Sequence, residues 1–446
     1  MIIYNKVELQ NNNLKNEKYH DIGRANKKCF VRNRKMNLSK MIMFVLGKRG
    51  LTLNMEIENF KGLMSTEMTD ITESAICQQR KNLNPEVFRK MMRTYIESTY
   101  DEGHDYETYK GYLVFAIDGM KIELPNVPEL QKEYGNNSGR KDQRPCVRAL
   151  TSSIYDVVNN MVIDSQIAPL NTSEKELAQT NIAEMLDILK DRIDLNKTII
   201  IFDRGYPSTE MIGLLDALGI KYIFRLSTST FKGNVKQMKT RDEKTKIYIT
   251  KSRIKAIKNK ESRAILACRE YIESRLVKYK LTTGEDEILI TNLTKEEFNS
   301  EELGELYFKR WKIELAYDIA KNKLEIQNIS GHSRIVVEQD YYAQMYLLNI
   351  AEDLRKEANK KVKNTKENGY KYDYKINMNI LIGKMRIQLI ELMIRRIFFN
   401  EDVSIRYNKL IEEISKNIIP IRPNRNNPRK QYKSRNKYRS NMRRNS

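Results

Sequence analysis

The chain has 446 residues, of which 40% are hydrophobic and 31% are charged. This composition excludes a disordered chain, and no apolar run approaches the roughly 20 residues that a membrane-spanning helix requires. Lys and Arg number 80 against 58 Asp and Glu, and the net charge of +22 favours a polyanionic partner through counterion release. The amino terminus lacks the apolar segment of a signal peptide, so we expect a cytoplasmic protein.

The first region, residues 1–105, is predicted to be helical, basic and DNA-binding. Its apolar spacing predicts helices over residues 54–64, 72–83 and 85–97. One interpretation is a helix-turn-helix that presents four polar side chains to DNA: Ser74, Gln78, Gln79 and Arg80. The other is an ordinary small helical bundle.

An α/β domain is predicted over residues 106–226 and 285–335. The predicted strands lie at residues 112–117, returning as a hairpin over 120–124, and at 146–155, 161–168, 198–202, 222–226 and 287–291. Ser173 and Glu176 have the spacing of a capping box, which predicts a helix to about residue 190, and a second helix is predicted over 208–218. Antiparallel strands followed by a β-α-β alternation indicate a mixed α/β sheet with helices on its faces.

Changes in the pattern of apolar and charged residues indicate three further segments. Residues 227–284 read as a small β-rich insertion, with strand-like pieces at 246–250, 263–269 and 276–281. A single helix is predicted over 300–324, and a helical C-terminal region over 336–420.

The last segment, 421–446, contains ten basic residues and no acidic residue. A block of like charge at a chain end is typical of a nucleic-acid-binding arm. A merely solubilising tail is the alternative. The richness of the whole chain in Lys, Asn and Ile would also follow from an A/T-rich genome.

Two aspartates, Asp118 and Asp203, each end an apolar strand. If those strands are parallel neighbours, both carboxylates emerge at the same edge of the sheet, where α/β proteins usually place their sites. Two close carboxylates repel unless a cation lies between them, and Mg²⁺ is suited to such oxygen ligands. The alternative is that both aspartates are only turn residues.

A third carboxylate, Glu314, would complete a site for two metal ions about 3.5–4 Å apart. At about 100° per residue, Tyr307, Arg310, Glu314 and Lys321 fall within an arc of about 60° on one helix. This polar stripe lies between two apolar flanks, which favours a position facing a cleft. Tyr, Arg and Lys are suited to phosphate oxygens, whereas an Arg310–Glu314 salt bridge within the helix is the structural alternative. Asp318 is the rival third carboxylate.

The spacing Tyr307-(2)-Arg310-(3)-Glu314-(6)-Lys321 resembles the signature of DDE transposases of the insertion sequence 4 type. The segments FAIDGMKIELP and IIIFDRGYPS around the two aspartates are similar to the other two signature blocks. Asp118 and Asp203 are 85 residues apart and Asp203 and Glu314 are 111 apart, so the long second interval accommodates an insertion. The resemblance covers about residues 55–440.

The resemblance implies a ribonuclease-H-like catalytic domain whose catalytic, metal-holding residues are Asp118, Asp203 and Glu314. It implies two Mg²⁺ ions, for which Mn²⁺ can substitute, and DNA contacts by four side chains: Tyr307, Arg310, Lys321 and Arg204. The implied activity is Mg²⁺-dependent cleavage at transposon ends of a bacterial insertion sequence, followed by 3′-hydroxyl strand transfer into target DNA. The implied partners are double-stranded DNA (terminal inverted repeats and target) and a second copy of the chain, with no membrane and with a nucleoid-associated location.

In many relatives a tryptophan of the insertion stacks on a flipped base, but the single tryptophan of this chain, Trp311, lies in the signature segment. Three insertion tyrosines are the candidates to replace it: Tyr248, Tyr271 and Tyr279. Two other functions stay open. One is a structure-specific DNA nuclease of the same fold, and the other is a catalytically inactive DNA-binding regulator.

Overall fold

A computed structural model of the protein describes residues 2–32, 35–64, 71–101, 106–137, 146–257, 259–281, 284–362 and 371–422. The basic tail, apart from its first two residues, lies outside these ranges. None of the helices within them combines the length and the apolar character that a membrane span requires.

The helices of the described residues are, in chain order, α1 (Ile2–Leu14), α2 (Glu17–Gly23), α3 (Leu38–Leu46), α4 (Leu53–Met64), α5 (Glu73–Arg80), α6 (Glu86–Tyr100), α7 (Pro128–Tyr134), α8 (Glu174–Leu189), α9 (Thr209–Ala217), α10 (Lys232–Lys236), α11 (Lys251–Ala256), α12 (Lys260–Ala267), α13 (Ser300–Phe308), α14 (Trp311–Asn322), α15 (Arg334–Lys361), α16 (Met378–Lys384), α17 (Ile390–Phe399) and α18 (Ser404–Ser415). The strands are β1 (Leu113–Leu124), β2 (Asn136–Asn137), β3 (Cys146–Asp156), β4 (Met161–Pro169), β5 (Thr198–Phe202), β6 (Lys221–Arg225), β7 (Asp242–Tyr248), β8 (Tyr271–Lys280), β9 (Asp286–Thr291), β10 (Asp373–Ile376) and β11 (Ile418–Ile421).

The chain divides into two compact units. The sheet unit comprises Ile96–Met120 and Leu150–Tyr317, and the helical unit comprises Met1–Tyr95, Lys121–Ala149 and Asp318–Ser446. The predicted boundaries at residues 105, 226, 284, 335 and 420 do not coincide with this division, and they remain a prediction about domains.

The main sheet is mixed, with the order β2-β3-β1-β5-β6-β9-β8-β7, and β4 also pairs with β3. β1 pairs with β5 and β5 with β6 in parallel, whereas β6, β9, β8 and β7 are antiparallel neighbours. The residues of β5 are all buried, as are residues 114–117 of β1, because these central strands are covered on both faces. The predicted mixed α/β fold with flanking helices is therefore confirmed.

The first central strand corrects one prediction. β1 runs without a turn from Leu113 to Leu124, so the expected hairpin at Asp118-Gly119 is wrong. Gly119 does not adopt a positive φ, so the backbone makes no left-handed turn at this glycine. The turn between β3 and β4 includes Asn160, which has a φ of 60°. α8 begins after Ser173 as expected, but the Ser173 side chain makes no capping hydrogen bond.

The insertion contributes strands to the main sheet. β7 and β8 pair with each other, and β8 pairs with β9, so they extend the sheet beyond β6. Residues 263–269, predicted as a strand, lie largely in α12, which begins at an Asn259 cap. Apolar residues in a short segment do not distinguish a strand from a helix. Here the Asn259 cap stabilises the helical conformation.

The predicted single helix over 300–324 is two helices. α13 begins with a capping box of Asn299 and Glu302, and it ends before Lys309. Around Arg310 the backbone hydrogen bonds span three residues instead of four, from Arg310 to Tyr307 and from Ile313 to Arg310. Such a tight turn changes the direction of the side chains that follow, so Tyr307 and Glu314 do not share one straight helix.

The helical unit is organised around α15, whose 28 residues include buried carboxylates. Lys6 Nζ lies 2.7 Å from Asp353, and the Tyr95 hydroxyl donates to the same carboxylate at 2.6 Å. Each buried carboxylate of this kind requires a cation or several donors to offset its lost hydration.

Arg80 corrects the helix-turn-helix interpretation. Arg80 is 5% exposed; it forms an ion pair with Asp340 and donates to Gln339 at 2.8 Å. Ser74 and Gln78 are exposed on α5, and Gln79 is partly exposed. The expected exposure of Arg80 is wrong, because Asp340 of α15 provides a buried partner that is distant in sequence.

We expect Gly304→Ala to lower the free energy of unfolding by about 1–3 kcal/mol, because an added methyl would overpack the interface between α13 and β8. A Cβ at Gly304 would lie 2.2 Å from the Tyr279 ring. Gly233→Ala is the matched control, since a Cβ there meets no atom within 4 Å. Urea denaturation of both variants measures the difference. Equal stability of the two would contradict the close packing.

Candidate active site

Asp118 and Asp203 lie side by side where the pairing of β1 with β5 ends, although β1 continues beyond Asp118 and only Asp203 follows the last residue of its strand. β1 and β5 are paired in parallel from Leu113 with Thr198 to Ile117 with Phe202. The next residue of each chain segment is the aspartate, so the register makes the two carboxylates neighbours.

Arg310 connects two of the predicted carboxylates. Its guanidinium, 4% exposed, lies 3.3 Å from an Asp118 oxygen and 3.0 Å from a Glu314 oxygen. The Tyr307 hydroxyl is 3.5 Å from Asp203, at the limit of a hydrogen bond. The structure thus brings together Asp118, Asp203, Tyr307, Arg310 and Glu314. It also contains the Arg310–Glu314 pair that was the structural alternative.

The electrostatics of Asp118 reflect this proximity. Burial raises the pKa of Asp118 to about 6, while Arg310 and the Gly119 amide, which donates to it at 2.9 Å, act in the opposite direction. The negative charges of Glu314 and Asp203 raise the pKa further. A carboxylate in this position is stabilised in its charged form by an added cation.

The donor chemistry suits a hard divalent cation, since three carboxylates supply oxygen ligands. Over the residues that the structure describes, no three His, Cys, Asp or Glu side chains have the geometry of a metal site. The Arg310 guanidinium lies between Asp118 and Glu314, so a cation there would require the guanidinium to turn away.

Three other predicted residues lie around the site or on the same helix. Arg204 is exposed in the turn after β5, where the Tyr206 amide donates to the Asp203 carbonyl at 3.2 Å. Lys321 is on α14, in the part of that helix that belongs to the helical unit. Asp318, the rival carboxylate, is exposed and accepts from Asn322 at 2.6 Å, so it has a local partner instead.

The apolar flanks of the stripe differ from each other. Leu306 and Ile313 are fully buried, as expected for a packed flank. On the other side Phe308 and Leu315 are exposed. Trp311 is exposed as well, and the centroid of its ring lies 5.1 Å from the Arg310 guanidinium carbon. Only the flank that contains Leu306 and Ile313 is therefore buried.

Among the insertion tyrosines, Tyr248 is the exposed one. Its ring is edge-on to that of Tyr271, which lies under the Lys246 ammonium at 4.0 Å. Tyr279 instead packs against Phe308 and Gly304. Tyr279 is thus the least available of the three for base stacking.

Sequence reasoning missed Tyr317. The Tyr317 hydroxyl donates to the Asp118 carbonyl at 2.6 Å. Tyr317 follows Glu314 by three residues, which is one helical turn, and this spacing was a usable signal.

Comparison with known proteins identifies the family of this site. Residues 109–350, more than half of the chain, match the model of the family described as Transposase DDE domain. InsZ of Escherichia coli (strain K12) is 22% identical over 192 residues, which are 42% of this chain and 60% of InsZ. The transposase InsG for insertion sequence element IS4 of the same organism is 20% identical over 332 residues, 72% of this chain and 70% of InsG.

A solved structure, the piggyBac transposase synaptic complex with hairpin DNA, is similar with a TM-score of 0.45 and 10% identity. The similarity covers 92% of this chain and 84% of that chain. The chain spans less than two thirds of the length of InsZ. On the family match over residues 109–350, which contain both aspartates and the signature segment, the chain belongs to the transposase DDE domain family.

Proposed function

We propose that the protein is a DNA transposase of a bacterial insertion sequence that acts by cut-and-paste transposition. The observation that carries the proposal is the register of β1 and β5, which brings Asp118 and Asp203 to one edge, together with the Arg310 link to Glu314. Three carboxylates that are remote in sequence have little reason to converge in a sheet unit unless a cation or a substrate requires them.

The proposal includes a ribonuclease-H-like fold for the sheet unit. Its support is the order of neighbouring strands, β4-β3-β1-β5-β6. The strands β1, β3 and β4 come first in the chain, and β5 and β6 then follow as parallel strands on the other side of β1. The helices α8 and α9 connect the strands in the β-α-β part. This order agrees with the antiparallel-then-alternating pattern expected from the sequence.

In this proposal Asp118, Asp203 and Glu314 are the catalytic residues and hold two Mg²⁺ ions, or Mn²⁺ in their place. The ions, when bound, supply an activated oxygen nucleophile and stabilise the negative charge on the leaving oxygen. The carboxylates contribute negative charge at a half-buried site, where its attraction for a divalent cation is stronger than in open solvent. No covalent intermediate with the protein is needed.

The cationic side chains would hold the DNA phosphates. Arg310 offers a planar guanidinium within reach of the scissile phosphate once it leaves Asp118, and Tyr307 offers a hydroxyl beside Asp203. Arg204, which is exposed, and Lys321 would add positive charge for flanking phosphates. The basic tail would add affinity without sequence preference, through counterion release.

Two reactions follow at such a site. In the first, water attacks the phosphorus, the bond to the 3′-oxygen breaks, and the water proton ends on that oxygen as a 3′-hydroxyl. In the second, this 3′-hydroxyl attacks a phosphodiester of the target DNA and displaces another 3′-oxygen. Because an element has two ends, we expect two chains to act together on the terminal inverted repeats.

The test uses the full chain with a duplex that carries the element end, in the presence of Mg²⁺. We expect cleavage at the end, and joining of pre-cut ends with free 3′-hydroxyls to a second duplex. Cleavage without joining would favour a structure-specific nuclease. DNA binding with neither reaction would favour an inactive regulator, and would overturn the proposal.

A further inference from the structure

The hydroxyl of Tyr317 links the helix that carries Glu314 to the strand that carries Asp118. It donates to the main-chain carbonyl of Asp118 at 2.6 Å, which is within the usual range for a hydrogen bond between two oxygens. Tyr317 is 7% exposed and lies 199 residues from Asp118 in the sequence. Both residues belong to the sheet unit, as do Arg310 and Glu314. The contact is therefore a buried tertiary link inside one compact unit.

This link acts at a residue that the pairing with β5 does not reach. The parallel register of β1 and β5 ends with Ile117 opposite Phe202, one residue before Asp118. A side chain that binds the Asp118 carbonyl therefore adds a constraint at the point where that pairing stops. Because the acceptor is the main chain, the bond occupies neither carboxylate oxygen of Asp118.

Tyr317 and Arg310 contact Asp118 from either side of Glu314 in the sequence. Arg310 comes four residues before Glu314 and lies 3.3 Å from the Asp118 carboxylate, and Tyr317 comes three residues after Glu314. Tyr317 is about one helical turn from Glu314, so a constraint on the one residue also acts on the other. Two contacts with the same aspartate restrict both the sliding and the rotation of the first turns of α14 against β1.

The two contacts differ in their response to DNA. In the proposed function Arg310 leaves Asp118 for the scissile phosphate, so its ion pair is lost at the step in which the geometry of the site matters most. A phosphodiester has no proton to donate, so it cannot take the place of the Tyr317 hydroxyl on the Asp118 carbonyl. The Tyr317 contact therefore persists after Arg310 has moved.

The alternative is that Tyr317 is an ordinary core residue whose hydroxyl has taken the nearest acceptor, since buried polar groups are usually paired. Tyr222 of β6 is such a residue: it is fully buried, and its hydroxyl lies 2.8 Å from that of Ser274. Tyr317 differs because its acceptor belongs to Asp118 and because Glu314 is one turn away. Tyr222 thus offers a matched comparison in the same unit.

We propose that Tyr317 is a positioning residue of the site. Its hydroxyl keeps the first turns of α14 against β1, so that Glu314 remains beside Asp118 after Arg310 has turned toward a phosphate. The proposal rests on the proposed function, and it adds a residue that holds other residues in place and touches no substrate itself. Such a residue acts on the reaction rate and not on the affinity for DNA, because other side chains make the phosphate contacts.

The experiment compares Tyr317→Phe with Tyr222→Phe in the full chain. In both variants phenylalanine keeps the buried ring and removes only the hydroxyl. Steady-state cleavage of a duplex that carries the element end gives kcat and KM, and thermal unfolding gives the stability of each variant.

We expect Tyr317→Phe to lower kcat about tenfold and to leave the KM for the duplex unchanged, whereas Tyr222→Phe keeps both values. The two variants should lower the unfolding temperature by similar amounts, because each loses one buried hydrogen bond. An equal kcat in the two variants, or an effect of Tyr317→Phe that is confined to KM, would overturn the inference.

Hydrogen exchange provides a second measurement that requires neither DNA nor cleavage. Arg310→Met removes the contacts of the guanidinium with Asp118 and Glu314. In that background the further change Tyr317→Phe should speed exchange of the α14 amides about fivefold, the factor expected for one hydrogen bond. Tyr317→Phe by itself should change this exchange by less than about twofold, because the Arg310 contacts persist. Equal exchange in the single Arg310→Met variant and the double variant would contradict the link.

The outcome is separable from that of the proposed function. If the unaltered chain binds the duplex but neither cleaves nor joins it, the transposase proposal fails, while the exchange of the α14 amides still decides whether Tyr317 holds the helix. If cleavage depends on Asp118 but is the same for Tyr317→Phe as for Tyr222→Phe, only this inference fails.

Discussion

Asp118→Asn is expected to reduce Mg²⁺-dependent cleavage of the element end by about a thousandfold or more, while binding of the end persists. The amide is nearly the size of the carboxylate but carries no charge, so it loses both the metal ligand and the attraction to a divalent cation. Binding should persist because phosphate contacts by basic side chains supply most of the affinity. Cleavage and gel-shift assays on the same preparation separate the two effects.

The same result is expected for Asp203→Asn and Glu314→Gln, since all three carboxylates are proposed to share the cations. Asp318→Asn is the matched control, because Asp318 is exposed and its partner is Asn322 on the same helix. That variant should keep its activity. Cleavage retained in all three carboxylate variants would exclude the assignment of the site.

Asp340→Asn is expected to lower the free energy of unfolding of the helical unit by about 3–5 kcal/mol, the largest stability effect that we predict. Asp340 is buried and accepts from Lys48 at 2.6 Å and from the Ser330 amide at 2.8 Å, and it pairs with Arg80. Removing its charge leaves two buried cations without their anion. Urea denaturation at neutral pH provides the measurement.

The pH dependence of this effect has a defined sign. Burial opposes the charge of Asp340, but Arg80 and Lys48 outweigh it and hold the pKa of Asp340 well below its usual range. The stability from a depressed carboxyl pKa is present above the pKa of the unfolded chain, about 4, and is lost as the pH falls toward the folded value. The difference between the unaltered chain and Asp340→Asn should therefore shrink as the pH falls below about 4.

Asp21→Asn is the control for this prediction. Asp21 is 76% exposed at its side chain and pairs with Arg24 one helical turn away, an arrangement that contributes little. We expect a change of less than about 0.5 kcal/mol for this variant. A loss for Asp340→Asn no larger than that for Asp21→Asn would show that the buried cations find other partners.

The strands that carry the aspartates were predictable because their signal is local. Residues 199–202 are all apolar and, with Thr198, form β5 with the predicted bounds, and residues 112–117 fall largely in β1. A strand that is buried on both faces must be apolar at every position, and few other elements of that length have this pattern. The order of the signature residues along the chain was likewise visible without a structure.

Other predictions failed where a distant segment changed the local outcome. Arg80 has the sequence context of an exposed helix position, but its ion pair with Asp340 is 260 residues away in the chain. The helix over 300–324 contains no Gly or Pro at its break, so nothing in its sequence predicts the turn at Arg310. The missed helix α12, by contrast, has a local signal in the sequence, since Asn259 caps it.

From the sequence alone one obtains the two apolar segments, the aspartate that follows each of them, and the helical character of the segment that carries Glu314, because each depends on residues within a few positions. Which strands are neighbours, and that Arg310 lies between two carboxylates, were decided by tertiary packing. Such proximities depend on how separate elements meet, and hydrophobic periodicity contains no information about the partner of an element.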